Sequence, residues 1–293
     1  MSVRCLVANR FPQWAHLPLI RVPSAGTDNA MYRLGADLVV RLPRMAAAAA
    51  RIGIEQKWLP RLAPYLPVAV PELVATAAPA DGFPYPWSVY RWLDGADLAA
   101  GPSADLAAGP GADLADAAVR LGRFVAVLRR LGTAGAPPSS RGGPVGAHDA
   151  QVRARIAALA ADGTVDAGAA TATWRTACAA APWTGAPVWL HGDLHPANLL
   201  ARGGRLAAVI DFGVLGTGDP ACDMLPAWTL LTAASRELFR AAADVDDATW
   251  LRGRGWGLHL GLGAVHVYRR TNPVLAATGR HAIVEAVADH AGA

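Results

Sequence analysis

The stretch HGDLHPANLL (191–200), followed by AVIDFG (208–213), sets two carboxylates and a carboxamide at short, fixed separations. Asp193 precedes Asn198 by five residues, and Asp211 closes an apolar run. Phosphoryl transfer asks a protein for in-line positioning and charge neutralisation more than for covalent chemistry. Asn198 and Asp211 offer the hard oxygen donors that suit Mg²⁺, with phosphate oxygens and waters completing its shell. Asp193 would accept a hydrogen bond from an attacking hydroxyl and take its proton late.

The flanking residues say how such a trio would be brought together. Apolar runs on either side of Gly203-Gly204 read as a β-hairpin. With those glycines as the turn, Leu200 is expected to face Ala207, and Asn198 to face Val209. Asn198 and Asp211 then meet at one open edge, just past the strand Val188-Trp189-Leu190.

HGDLHPAN resembles the catalytic loop of the aminoglycoside phosphotransferase family, a branch of the protein-kinase-like fold. IDFG resembles its metal-binding turn, and GDPACDM (218–224) also matches. The resemblance implies an α+β bilobal protein-kinase-like fold, with a small β-rich N-lobe (1–94) and a larger, mainly helical C-lobe (95–293). It implies Asp193 as catalytic base, Asn198 and Asp211 as Mg²⁺ ligands, and His191 and Asp223 as structural support. The implied reaction moves the γ-phosphate of ATP, or GTP, to a hydroxyl of a small molecule, an antibiotic such as an aminoglycoside first among them. A metabolite kinase (for a sugar, choline or a homoserine-like acceptor) and a non-catalytic, pseudokinase-like binder are the alternatives. A metallohydrolase using His191, Asp193 and His195 would need further ligands. His259 and His266, seven apart in a helical stretch, look instead like one helix face.

On the nucleotide side, SAGTDN (24–29) takes the place of the phosphate-covering loop, giving Ser24, Gly26 and Thr27 as candidates. The strand LVVRLPR places Arg41 where the fold expects a lysine, and Glu55 is its expected orienting partner. Arginine stays charged and binds phosphate oxygens bidentately, but it is longer and planar. The only lysine is Lys57, two residues past Glu55. YRWLDG (90–95) resembles the hinge between lobes. Backbone groups of Arg91 and Leu93 would meet the base, with Tyr90 at the back wall, where a bulky residue crowds adenine.

Acceptor specificity in this family comes from segments corresponding to 132–180 and 226–290. A cationic acceptor calls for acids in the cleft, and Glu237, Asp244, Asp246 and Asp247 are the candidates. The same aspartates also read as a helix cap and first turn. Trp228, Trp250 and Trp256 read as core.

Composition narrows the function classes. The net charge is +4 over 293 residues, and the basic residues are spread rather than clustered with aromatics. That gives no support to a nucleic-acid partner. No run of 18 or more strongly apolar residues appears, so no membrane span is expected. Three scattered cysteines suggest neither disulfides nor zinc, and a cytoplasmic location is the simplest expectation. The partners expected are a nucleoside triphosphate and a small hydroxyl acceptor; the oligomeric state is left open. An eight-residue repeat, ADLAAGPS (96–103), ADLAAGPG (104–111) and ADLADAA (112–118), reads as a turn-rich surface insertion passing into helix.

Overall fold

The computed structural model describes residues 2–23, 26–80, 82–99 and 113–292. Ser24 and repeat residues 100–112 lie outside the described residues. The smaller lobe contains α1 (Val3–Arg10), β1 (Leu19–Val22), β2 (Asn29–Leu34), β3 (Leu38–Pro43), α2 (Ala46–Leu62), β4 (Leu73–Ala77) and β5 (Trp87–Arg91). β6 (Ala96–Asp97) then leads to α3 (Leu114–Leu128), α4 (Asp149–Ala160) and α5 (Ala167–Ala179). The strands β7 (Val188–Leu190), β8 (Leu199–Arg202), β9 (Arg205–Val209) and β10 (Gly216–Gly218) carry the candidate motifs. The chain closes with α6 (Pro226–Thr229), α7 (Ala233–Ala243), α8 (Asp247–Tyr268) and α9 (Pro273–Ala291).

The N-lobe sheet is antiparallel, in the order β1-β2-β3-β5-β4. Its central strand β3 is buried along its whole length. Side chains alternate across a strand, so Val40 and Leu42 join Trp87, Val89, the α1 residues Leu6 and Val7, and Phe11 just past α1 in one core. Arg41 projects to the other face, toward Glu55 of α2. Neither α1 nor β4 was legible as an element. α1 forms in mixed composition behind its cap, where Ser2 Oγ accepts from the Cys5 amide at 3.3 Å. β4 lacks alternation and is held by its ladder to β5. α2 contains Pro60 and stops at Leu62, two residues before Pro64.

Gly203 and Gly204 make the expected turn, at φ of 59° and 77°, where an L side chain would be strained. The register starts as expected, with Arg202 opposite Arg205 and Ala201 opposite Leu206, and then shifts at a bulge. Leu200 faces Ala208, not Ala207, and Leu199, not Asn198, faces Val209. The bulge adds one residue to β9 and turns the strand. Asn198 therefore lies just outside the ladder, in a 3-10 turn spanning Pro196–Asn198. Its carbonyl still receives the Ile210 amide at 2.9 Å, so the edge expected from the hairpin survives the shift.

The C-lobe core gathers Trp174, Trp189, Trp228, Trp256, Phe124, Phe212 and Phe239. Among the described residues no helix is long and apolar enough to cross a membrane.

Candidate active site

The loop that carries Asp193 is held from below. Asp223 accepts the His191 amide at 2.8 Å and the Gly192 amide at 2.7 Å. Burial pushes the Asp223 carboxyl up to about 7, against the pull of those two amides. His191 lies beneath the loop with Nε2 donating to the Ile210 carbonyl at 3.1 Å and Nδ1 accepting the Asp193 amide at 3.1 Å. Burial holds its imidazole down to about 4, so it is neutral at pH 7 and ties the loop to the strand before Asp211.

Asp193 points into the interlobe cavity. Its carboxylate is paired with Arg141 and lies 3.6 Å from His195 Nε2. Burial works to raise its pKa, but Arg141 and then His195 outweigh it and hold the carboxyl well below the usual range. Asn198 Nδ2 donates to the Asp193 carbonyl at 2.9 Å. That spends the amide nitrogen within the loop and leaves Oδ1 for a cation. Asp211 has a φ of 62°, a left-handed conformation that aspartate tolerates at a cost. Its Oδ1 takes Arg41 Nη2 at 2.7 Å and the Gly213 amide at 3.3 Å; Oδ2 has no such bond among the described residues. One carboxylate oxygen and one carboxamide oxygen at the same cavity wall fit a hard divalent cation completed by phosphate and water.

Arg41 is the junction between the lobes. Nη1 meets both Glu55 oxygens at 2.6 and 2.5 Å, while Nη2 reaches Asp211 at 2.7 Å. The Asn29 amide oxygen, turned toward the guanidinium, accepts from Nε at 3.1 Å and Nη2 at 3.0 Å. Burial works against the charge, yet Glu55 and Asp211 hold the pKa above its ordinary value. Gly26 and Thr27 line the cavity with Tyr90, Arg91 and Leu93. Burial and then Glu55 push the Tyr90 phenol up. The Arg91 amide is committed to the Glu72 carbonyl at 2.9 Å, so it has no N–H to spare for a base.

The acidic candidates for the acceptor are not brought to this site. Glu237, Asp244, Asp246 and Asp247 do not line the cavity. Glu237 is exposed on α7. Asp246 caps α8 through the Thr249 amide at 2.6 Å, Asp247 pairs with Arg240, and Asp244 pairs with Arg130 at 3.0 Å. The competing cap reading is the one the structure bears. His195 and His259 form no metal cluster either: among the described residues no group of three or more His, Cys, Asp or Glu side chains is placed to hold one.

Arg141 was missed. It sits in the loop between α3 and α4, where composition marks only a turn-rich segment, and no local pattern distinguishes it. Asn29 was missed for the same reason, being one polar residue at a strand start.

The sequence matches the phosphotransferase enzyme family over residues 19–256. The chain belongs to that family. No curated protein is a significant match. Among solved structures, this phosphotransferase resembles an aminoglycoside 2'-phosphotransferase-IIIa in complex with GDP, at 20% identity and a TM-score of 0.71, covering 97% of each chain. It also resembles an APH(2'') enzyme with GDP and kanamycin, at 18% identity and a TM-score of 0.69, over 98% of this chain and 97% of that one. A macrolide 2'-phosphotransferase from Brachybacterium faecium matches at 23% identity and a TM-score of 0.63, over 95% and 97%. At these identities the likeness is one of fold, and it agrees with the five-stranded sheet and helical C-lobe.

Proposed function

We propose that the protein moves the γ-phosphate of ATP or GTP to a hydroxyl of a small molecule, with Mg²⁺ held by Asn198 and Asp211. One observation carries the reading: Asp193, Asn198 and Asp211 line the same cavity as Arg41, Glu55 and Tyr90. In the proposed cycle Arg41, fixed by Glu55, neutralises the α/β-phosphates. Leu93 and the Arg91 carbonyl side of the hinge stand at the base, and Gly26 and Thr27 cover the phosphates. The cation supplies charge neutralisation at the transferred phosphoryl group. Asp193 orients the acceptor hydroxyl. Its low proton affinity suits a group that takes the proton only after the new O–P bond has made that proton acidic.

Related folds solved with GDP and with ADP support nucleotide binding. Relatives that act on aminoglycosides and macrolides make antibiotic hydroxyls the first acceptors to assay, with metabolite hydroxyls second. The test is Mg²⁺-dependent turnover in a coupled assay with ATP and GTP in competition. Asp193→Asn is expected to lower the rate by about 10²–10⁴ with the melting temperature preserved. A rate equal to that of the wild type would reject the reading.

A further inference from the structure

The cavity, about 960 Å³ in volume, continues past Asp193 between α4, α8 and α9. Its far wall is apolar, with Leu260, Ala264 and Val267 from α8 and Leu275 from α9. None of the cavity-lining residues from α8 and α9 is acidic.

Over this wall stands a cluster of Arg155, Trp256 and two histidine rings, with no carboxylate in it. The His148 and His259 rings stack at 4.4 Å. Arg155 Nη1 lies 3.5 Å from His259 Nδ1. Arg155 is half-buried in the wall and pairs with no carboxylate among the described residues; burial alone lowers its pKa. Trp256 edges against both histidines at 5.0 and 5.6 Å, and its buried Nε1 has no hydrogen-bond partner. A buried indole N–H without an acceptor is costly, and a guanidinium without a counter-charge beside it leaves room for a ligand that supplies acceptors. Elsewhere on the cavity, Asp28, Glu55 and Asp211 are paired to Arg51 and Arg41. Arg141 neutralises Asp193.

We propose that this compartment binds the acceptor as a hydroxy compound with an apolar body and an anionic oxygen group, the anion resting on Arg155, and that it excludes polycations. The inference rests on the phosphotransferase reading for the reaction, and on the compartment alone for the chemistry of the ligand. A polycation would meet Arg155 and Arg141, while among the described residues the remaining cavity carboxylate, Asp97, already accepts the Ala99 amide at 3.1 Å. His259, held down to about 3 by burial and by its cationic and imidazole neighbours, stays neutral and adds no charge, its Nδ1 accepting from Arg155. A carboxylate takes both guanidinium donors bidentately, and an apolar chain buries the α8 and α9 wall.

The experiment is calorimetry on the full chain without nucleotide. The probes are ω-hydroxy fatty acids of graded length, their methyl esters, and kanamycin. At least one hydroxy acid is expected to bind, with its ester weaker by about tenfold, the loss of one charge-assisted contact. Arg155→Ala should bring acid and ester level, and Arg155→Lys should keep the preference for the acid. Kanamycin bound more tightly than every acid, acid and ester bound equally by the wild type, or no acid bound at all would each overturn the proposal. The phosphotransferase reading fails on different evidence, namely absent nucleotide turnover or an undiminished Asp193→Asn rate, so the two failures are distinguishable.

Discussion

Arg41 joins the two lobes at the end of the cavity where the nucleotide is proposed to bind. A lysine in its place would be a single point charge, whereas the guanidinium divides its donors between Glu55 and Asp211. One side chain thereby couples α2 of the N-lobe to the strand end that carries the candidate metal ligand. Arg41→Ala leaves Glu55, buried to 1% exposure, without a counter-charge. It should raise the Michaelis constant for nucleotide and lower turnover together, and Arg41→Lys should restore part of both; steady-state kinetics checks this. Histidines set a second residue-level property. Burial, with His148 and Arg155 behind it, holds His259 down to about 3, and burial holds His191 down to about 4. Unfolded imidazoles titrate at about 6.5. Between those values the unfolded chain binds more protons, so these groups make stability fall as pH falls. The margin in melting temperature of wild type over His259→Gln should therefore shrink as the pH is lowered from about 7 to about 4.

Elements place the Asp193 carboxylate as much as its own loop does. The segment carrying Arg141 runs beside β10, with the Ser139 amide bonded to the Thr217 carbonyl and the Asp219 amide to the Gly142 carbonyl, both at 2.9 Å. A Cβ at Gly218 would fall 2.3 Å from Gly142 Cα, which no side chain can share. Gly218→Ala should push the strap outward, carry Arg141 away from Asp193 and lower turnover more than nucleotide affinity, as kcat measured against nucleotide Kd would show. The two ends of the repeat make a different point about elements. ADLA at 96–99 begins as β6, paired with β8, whereas ADLA at 112–115 supplies the Asp113 cap and first turn of α3. Identical residues take two structures because a strand edge awaits the first copy and a helix the second.

Across the whole molecule, the wall proposed to hold the acceptor depends on α9 being clamped to the C-lobe core. Asp289 accepts from Arg236 at 3.0 Å, Arg254 at 3.3 Å and the Trp228 indole at 3.3 Å. Arg236 and Arg254 are almost wholly buried. Asp289→Ala would leave the buried Arg254 without a counter-charge, while Arg236 keeps Glu285, and should cost about 3–5 kcal/mol, measurable by urea unfolding. α9 packs on α8 so closely that a Cβ at Gly279 would lie 2.7 Å from the Gly261 carbonyl. Loosening the clamp should therefore weaken acceptor binding before nucleotide binding.

The local sequence determined the elements and motifs whose signals repeat within a few residues: the Gly-Gly hairpin, the helices with apolar spacing, and the catalytic run from His191 to Asp211. A supporting role for Asp223 and His191 came from the family resemblance of their two motifs, and the structure places both beneath the loop, Asp223 on its amides and His191 against Ile210. The capping role of Asp246 was likewise legible from the polar residues opening an apolar helical run. Tertiary structure alone decided the rest. Arg141 reaches Asp193 across 52 residues, Arg41 reaches Asp211 across 170, and Arg155 meets His259 across 104. No local period links such pairs, since contact at that separation follows from how lobes and helices pack. The same holds for the acidic residues near 244–247, whose charge is legible in the chain but whose distance from the cavity is set by the α7–α8 turn. Periodicity reports which face of an element is buried; only the folded chain reports what that face is buried against.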